Sequence, residues 1–157
     1  MNVAGIICEY NPFHLGHALH ISKTRAALGN DCAIVCCMSG NFVQRGEFAV
    51  MSKHARAQSA VLCGADLVTE LPLPSALSSA ERFALGGVRA LDALGVCGYI
   101  SFGSESGDIE RLKGAARARG APRADEEIRR ALDGGASYAQ SLGAAYRELP
   151  CAAVPSP

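Results

Sequence analysis

Four short apolar runs alternate with helix-like segments along this chain, and the alternation restricts its fold more than any other feature. Each run is apolar at nearly every position, which is typical of a strand covered on both faces. The pattern predicts an α/β fold: a Rossmann-like, doubly wound parallel sheet with right-handed crossovers. The predicted strands are Val3–Cys8, Cys32–Met38, Asp66–Leu71 and Gly98–Phe102. The predicted helices are Gly16–Leu28, Ser52–Cys63, Ser78–Leu94 and Ile109–Arg119, and Gly29, Gly64 and Gly95 follow three of them as expected C-terminal caps.

The composition excludes several classes of protein. The chain has 15 basic and 15 acidic residues, so its net charge is zero and no global charge draws it to nucleic acid or anionic lipid. Any RNA contact must come from a local patch, such as Arg111, Lys113, Arg117 and Arg119. Because no apolar run is long enough to cross a bilayer, we expect no membrane partner.

The cysteines indicate the compartment. There are 7, an odd number, none lies in a C-x-x-C pair, and most stand in apolar segments. They are therefore interpreted as small buried apolar side chains in a reducing cytoplasm rather than as a disulfide framework. The first residues lead directly into a strand and lack the basic start of a secretion signal, which also favours a cytoplasmic location.

Composition shifts after about residue 113, where Ala, Arg and Glu become frequent and Gly120-Ala121-Pro122 interrupts the pattern. We predict a sheet domain over residues 1–120 and a helical extension over residues 121–157. Short surface helices are predicted within that extension at Asp125–Leu132 and Tyr138–Leu149.

The segment from Glu9 to His17 carries the strongest functional signal. It lies between the first strand and the first helix, where open α/β sheets bind nucleotides. Since His14 and His17 are three positions apart, their rings can share one face of the first helical turn and each can donate to a phosphoryl oxygen. Gly16 leaves room for a base or ribose near the main chain. Two alternatives remain open: histidines that only cap the helix, and a metal site that also includes His20 and Cys8.

Further polar segments follow the next two strands, so they should reach the same sheet edge. Ser39–Glu47 follows the second strand and places Arg45 between two glycines. Its position favours a substrate loop, although an ordinary connection with solvated charges remains possible. Glu70 stands at the end of the third strand and is a substrate candidate on the same ground.

The second helix begins with a further pair of cations. Ser52 is its expected N-cap. Lys53 and Arg56 are three positions apart and can face a phosphate together, or can form a solvated helix face.

The fourth predicted strand also ends in a polar segment. Gly103 permits close approach of an adenine or ribose, and Ser104 can donate a hydrogen bond or cap the next helix. Glu105 is interpreted either as a substrate contact or as an ordinary carboxylate at a helix start.

Five motifs in order resemble one family. They are E-Y-N-P-F-H-x-G-H, S-G-N-F-V-Q-R-G-E, S-K-H-A-R, G-A-D-L-V-T-E-L-P and F-G-S-E-S-G-D. Together they resemble the N-terminal catalytic region of the tRNA(Met) cytidine acetate ligases, which carry the H-x-G-H signature of the nucleotidyltransferase superfamily. The resemblance implies an HxGH-type nucleotidyltransferase fold. It also implies that ATP activates acetate as acetyl-adenylate, and that the acetyl group passes to the wobble cytidine of elongator tRNA(Met).

The resemblance also implies roles for single residues. His14 and His17 are the expected catalytic residues, within a catalytic domain over residues 1–120. The expected ATP-binding residues are Ile7, Cys8, Glu9, Asn11, Pro12, Phe13, His14, Gly16, His17, His20, Gly103 and Ser104. The expected substrate contacts are Arg45, Lys53, Arg56, Glu70 and Glu105. We expect no dedicated metal site, since magnesium would arrive with ATP.

The end of the chain departs from the family pattern. A P-N-N-x-L-G segment and an S-x-x-x-I-R-like phosphate motif, both expected from the family, do not occur in the 157 residues. We therefore expect a truncated copy with reduced or no activity. Two other functions remain open: a small-molecule adenylyltransferase, and a non-catalytic nucleotide-binding fragment.

Overall fold

The computed structural model describes residues 1–44, 46–104, 107–119, 122–138 and 140–141. The chain forms two compact units, Met1–Gly103 and Ser104–Pro157. Arg45, Glu105 and most of the helix predicted over Tyr138–Leu149 lie outside the described residues.

The first unit is built on a parallel sheet of 4 strands in the order β3-β2-β1-β4. Its strands are β1 (Val3–Cys8), β2 (Ala33–Ser39), β3 (Leu67–Leu71) and β4 (Tyr99–Ile100). The parallel sheet is confirmed, and β1 has the predicted bounds. β4 is shorter than the predicted Gly98–Phe102, because this edge strand pairs only with Ala4 and Gly5 of β1.

Helices cover both faces of this sheet, which confirms the doubly wound arrangement. They are α1 (Leu15–Leu28), α2 (Lys53–Leu62), α3 (Leu73–Ala76) and α4 (Ala80–Ala93). Three match predicted helices to within two residues at each end. The short helix α3 was not predicted; it begins directly after Pro72, which follows β3. A proline in the first turn suits a helix start, since its φ is already helical.

Alternating residues of the central strands supply two separate cores. On one face, Ile6 and Ile34 pack with Ile21 of α1 and Ala60 of α2. On the other face, Val35, Cys37 and Leu71 pack with Ala76 of α3 and Leu91 of α4. This is why the strands are apolar at nearly every position. A Cβ at Gly87 would lie 2.7 Å from the Ile7 side chain, so α4 lies very close to β1.

The strand order places a topological switch point beside β1. From β1 the chain moves through β2 to β3 on one side, and it then crosses to β4 on the other side. Open α/β sheets bind ligands where the strand order reverses in this way, outside the carboxyl ends of the strands. His14 and His17 follow β1, and Gly103 follows β4, which is parallel to β1. The two histidines and Gly103 therefore lie at the same edge of the sheet.

The second unit contains α5 (Ile109–Arg119) and α6 (Pro122–Asp133). Asp108 Oδ1 caps α5 by accepting from the main-chain N–H groups of Glu110 at 3.0 Å and Arg111 at 3.1 Å. The predicted helix Asp125–Leu132 lies within α6, while the functional boundary near residue 120 stays a prediction. In the part of the chain that the structure describes, every helix is too short or too polar to cross a bilayer.

Candidate functional site

The segment from Glu9 to His17, here called the histidine loop, is held by aromatic packing. Tyr10 is buried, and its ring lies 4.8 Å from the Phe13 ring and 4.7 Å from the His17 ring. Its hydroxyl lies 3.4 Å from Cys36 Sγ in β2. Tyr10 has a φ of 48°, in the left-handed region that costs a non-glycine residue about 1–3 kcal/mol. Burial of the ring offsets that strain and fixes the path of the loop, in which the Asn11–Pro12 peptide is cis.

The two histidines cap α1 reciprocally. His14 is the N-cap, and its Nδ1 accepts from the Gly16 N–H at 3.1 Å. His17 Nδ1 in turn accepts from the His14 N–H at 3.2 Å. The two rings are stacked, with centroids 3.6 Å apart and planes at 25°. The Nδ1 atoms of both residues are therefore used in capping.

This arrangement fixes the tautomer of both rings. A neutral imidazole whose Nδ1 accepts a hydrogen bond carries its proton on Nε2. Burial lowers the pKa of His17, and the neighbouring His14 and His20 rings lower it further. Capping and phosphate binding are thus compatible, because the cap uses Nδ1 and leaves Nε2–H of each ring as a donor.

Gly16 is required by the cap itself. A Cβ at this position would lie 2.9 Å from His14 Cε1 and 3.1 Å from His14 Nδ1. A side chain here would therefore displace the His14 ring. Close approach of a base or ribose, which the sequence analysis predicted for Gly16, stays a prediction.

Two other polar side chains of the histidine loop connect it to the segment after β2. Glu9 Oε1 accepts from the Gln44 N–H at 2.6 Å, and Asn11 Oδ1 accepts from the Val50 N–H at 2.8 Å. Both residues were predicted to bind ATP. The structure shows them as braces between two loops, and direct contact with ATP stays a prediction.

Arg56 occupies the centre of this brace. Its guanidinium is fully buried and donates to the carbonyl oxygens of Glu9, Gly40 and Met51. Sequence reasoning placed Arg56 among the substrate contacts, because its position on α2 suggested a free cation. With its donors directed at main-chain carbonyls, its observed role is to join the ends of β1 and β2.

Lys53 and Glu70 form an ion pair at the carboxyl end of β3. Lys53 Nζ lies 2.6 Å from Glu70 Oε2, and both side chains remain partly exposed. A Cβ at Gly40 would collide with the Glu70 carboxylate, so this glycine provides the space in which the carboxylate lies. The structure therefore brings these two predicted substrate residues together. The expected N-cap of α2 is also confirmed, since Ser52 Oγ accepts from the Ala55 N–H.

A chain of hydrogen bonds joins α1 to the end of β4. Thr24 Oγ1 donates to the His20 carbonyl, and it lies 2.6 Å from Ser101 Oγ. Ser101 must then donate to Thr24, which leaves its oxygen to accept from His20 Nε2 at 2.8 Å. Sequence reasoning missed Ser101 and Thr24. The available signal was a hydroxyl within the predicted fourth strand, two residues before Gly103.

The other predicted ATP-binding residues differ in their surroundings. Ile7 and Cys8 pack their partly buried side chains against the two cores. Phe13 is partly buried against the first core, and Pro12 is exposed. A Cβ at Gly103 would meet nothing within 4 Å, while Ser104 begins the second unit.

The metal alternative lacks support among the residues that the structure describes. Within them, no group of three or more His, Cys, Asp or Glu side chains is arranged to hold a metal ion. His14, His17 and His20 instead use ring nitrogens in the hydrogen bonds described above.

Comparison with known proteins agrees with this geometry. The model of a family described as HIGH Nucleotidyl Transferase matches residues 1–155. A tRNA(Met) cytidine acetate ligase of Acetivibrio thermocellus is 54% identical over 112 residues, which are 71% of this chain and 27% of that protein. A ligase of the same name from Geobacillus sp. (strain WCH70) is 44% identical over 151 residues, 95% of this chain and 37% of that protein.

A solved structure shows the same fold. The crystal structure of Thermotoga maritima TmcAL bound with alpha-thio ATP superposes with a TM-score of 0.83 at 42% identity, covering 92% of this chain and 35% of that one. This chain therefore spans about a third of the length of these relatives. The resemblance to the acetate ligases is confirmed as similarity to their N-terminal portion. On the match along nearly its whole length, the chain belongs to the HIGH nucleotidyltransferase family.

Proposed function

We propose that this chain is the ATP-binding, adenylate-forming part of a tRNA(Met) cytidine acetate ligase. In the proposed reaction a carboxylate oxygen of acetate attacks the α-phosphorus of ATP, and pyrophosphate leaves. The exocyclic amine of the wobble cytidine in elongator tRNA(Met) then attacks the acetyl carbon and releases AMP. Similarity to named acetate ligases and to a structure with an ATP analogue supports this choice among the activities of the family.

The reciprocal histidine cap is the observation that carries the proposal. Displacement at phosphorus needs positioning and charge stabilisation more than covalent help from the protein. His14 and His17 hold Nδ1 in the cap, so two Nε2–H donors stand side by side at the switch point of the sheet. We assign them to the α-phosphate oxygens, where negative charge develops as pyrophosphate leaves.

The adenosine, the magnesium ion and the cellular compartment can also be assigned. We assign the adenosine to the space between the ends of β1 and β4, where Gly103 lacks a side chain and α1 begins. Magnesium would come with the triphosphate, as part of the substrate. We place the protein in the cytoplasm, where tRNA and ATP are available; its described cysteines are free thiols.

Acetate dependence distinguishes the proposal from a small-molecule adenylyltransferase. The measurement is exchange of labelled pyrophosphate into ATP, using a chimaera in which this chain replaces the matching segment of the Acetivibrio thermocellus relative. We expect exchange that requires acetate and falls about a hundredfold in His17→Ala, as when one preorganised donor is lost. Exchange supported by a phosphorylated cofactor precursor instead of acetate would contradict the proposal.

The 157-residue chain alone can be used to test the binding of ATP and of tRNA. We expect residues 1–157 to bind ATP measurably in calorimetry, and to bind elongator tRNA(Met) poorly in a filter assay at physiological salt. RNA affinity depends on clustered cations that release counterions, and this chain has no net charge. Absence of ATP binding would overturn the assignment of the histidine loop.

A further inference from the structure

A cavity lies beside the histidine loop at the same edge of the sheet. It has a volume of about 210 Å³ and lies between the carboxyl ends of β2 and β3 and the first turns of α2. Met38, Ala57 and Val68 line it with apolar groups, here called the apolar floor. All three belong to or pack against the core on the α1 and α2 side, so the floor has a fixed shape.

Titratable side chains also line the cavity. Lys53, His54 and Glu70 line it, and the Lys53–Glu70 pair, with atoms 2.6 Å apart, supplies its closest opposite charges. The Lys53 and Glu70 side chains are 32% and 52% exposed, so neither charge is committed to a buried network. A cavity whose lining combines a cation with a small apolar surface matches a short-chain carboxylate, which has one charged end and one apolar end.

We propose that this cavity is the acetate subsite, with the acetate carboxylate against Lys53 and its methyl group against the apolar floor. The inference rests on the proposed function, because adenylate formation needs a carboxylate held near the α-phosphate. One guanidinium joins this region to the histidine loop, since Arg56 donates both to Glu9 at the end of β1 and to Gly40 at the end of β2.

Glu70 makes the proposal testable by the direction in which acetate affinity changes. In the free protein Glu70 is the counter-ion of Lys53, so an incoming carboxylate competes with it for the same ammonium group. Glu70 is the more exposed partner and can turn to solvent when acetate binds. Removing its charge should therefore strengthen acetate binding, whereas removing the Lys53 charge should weaken it. A ligand that donates a hydrogen bond, such as the amine of cytosine, would respond in the opposite way to loss of Glu70.

The test is a titration of the ¹⁵N-labelled 157-residue chain with sodium acetate, at ionic strength held constant with sodium chloride. We expect saturable shifts of the Lys53, Val68 and Glu70 amide signals. Lys53→Met should weaken acetate binding at least about fivefold, and Glu70→Gln should tighten it between about 1.5- and fivefold, the range measured for partly exposed charge pairs. The Lys113–Glu110 pair on α5, at 2.8 Å, provides matched controls, and Lys113→Met and Glu110→Gln should change nothing.

Two results would overturn the acetate assignment: shifts that chloride reproduces, or a loss of binding in Glu70→Gln as large as in Lys53→Met. The second result would assign the cavity to an amine-bearing group instead. An ATP titration of the same samples, followed at the His14 and His17 amides, separates the two proposals. ATP binding without acetate binding would reject only the acetate subsite, whereas absence of ATP binding would reject the proposed function. Dispersed spectra of each variant would establish that it folds.

Discussion

The histidine loop and the segment that leaves β4 border the same switch point, but they are held in different ways. In the histidine loop, the side chains of Glu9, Asn11, His14 and His17 each accept a hydrogen bond from a main-chain N–H group. The segment after β4 follows a strand of 2 residues, and nothing within 4 Å would meet a Cβ at Gly103.

The difference fits the ATP site proposed above, in which the two sides would have different tasks. Donors that are fixed before the reaction stabilise developing charge without reorganisation, so rigidity is most valuable on the phosphate side. A short edge strand with few buried contacts opens more easily, which suits the side where a nucleotide has to enter. Ser101 is the described side chain that ties this second side to α1.

Loss of the Arg56 guanidinium should destabilise the histidine loop, and it should have the largest effect of the changes considered. In Arg56→Ala, the buried carbonyl of Gly40 and the partly buried carbonyls of Glu9 and Met51 lose their donor, and we expect the free energy of unfolding to fall by about 3 kcal/mol or more. Urea unfolding measures the change. Arg89→Ala, on the exposed side of α4, is the control and should stay within about 0.5 kcal/mol. A similarly small change in Arg56→Ala would show that the histidine loop is held without this brace.

A methyl group at Gly16 should disturb the histidine loop from within. Gly16→Ala places a Cβ 2.9 Å from His14, so the ring must leave its cap. We expect a loss of about 2 kcal/mol in stability, as for a lost N-cap with added strain, together with weaker ATP binding. In the control Gly114→Ala, within α5, the new Cβ meets nothing within 4 Å and should be neutral or slightly stabilising. Unchanged ATP affinity in Gly16→Ala would separate the cap from nucleotide binding.

Ser101→Ala should destabilise the segment after β4, on the other side of the switch point, by less than the two changes above. It removes the acceptor of His20 Nε2 and the donor to Thr24, for which we expect a cost of about 1 kcal/mol. Hydrogen exchange should accelerate at the amides of Ser101 and Gly103 but not in the histidine loop. Ser78→Ala, which removes an exposed hydroxyl bonded to Pro74, is the control. Faster exchange in both segments would show that they are not independent.

A fall in pH should lower the free energy of unfolding by a still smaller amount, through the histidines of this region. The pKa of His17 is lowered, mainly by burial, and that of His20 is lowered by the same cause. Since an unfolded imidazole titrates near 6.5, the unfolded chain binds more protons just below that pH. Stability should therefore be lost as pH falls below about 6.5, with the full loss reached below the lowered pKa values. Urea unfolding from pH 7.5 to 5.5 measures this slope, and His17→Gln should reduce it. A flat profile would argue against the lowered pKa values of these two rings.

The sequence was sufficient to predict most of the first unit. Continuous apolar runs predicted the parallel sheet, because a strand covered on both faces needs apolar residues at every position. Gly29, Gly64 and Gly95 correctly marked three helix ends, since each adopts a positive φ. The Glu9–His17 motif also correctly indicated a loop at the switch point, where its two histidines lie next to each other.

Contacts between distant parts of the chain could not be predicted. Arg56 has the same sequence signature as a free helix cation, and only the fold shows that it meets carbonyl groups from three segments. Glu9 and Asn11 act on main-chain groups far along the chain, and a sequence pattern does not record such pairings. The reciprocal cap could not be predicted as a unit because histidine is an unusual N-cap, and because a ring has two nitrogens that can serve capping and phosphate binding at once.

The tautomers of His14 and His17 test the central claim most directly. Long-range ¹H–¹⁵N spectra of the histidine rings at pH 7.5, recorded with and without ATP, distinguish a proton on Nε2 from one on Nδ1. The reciprocal cap predicts Nε2–H for both rings in the free chain. Added ATP should shift both Nε2 signals while the Nδ1 signals keep their positions. A proton on Nδ1 of either ring, or Nε2 signals that stay unmoved at saturating ATP, would contradict the account.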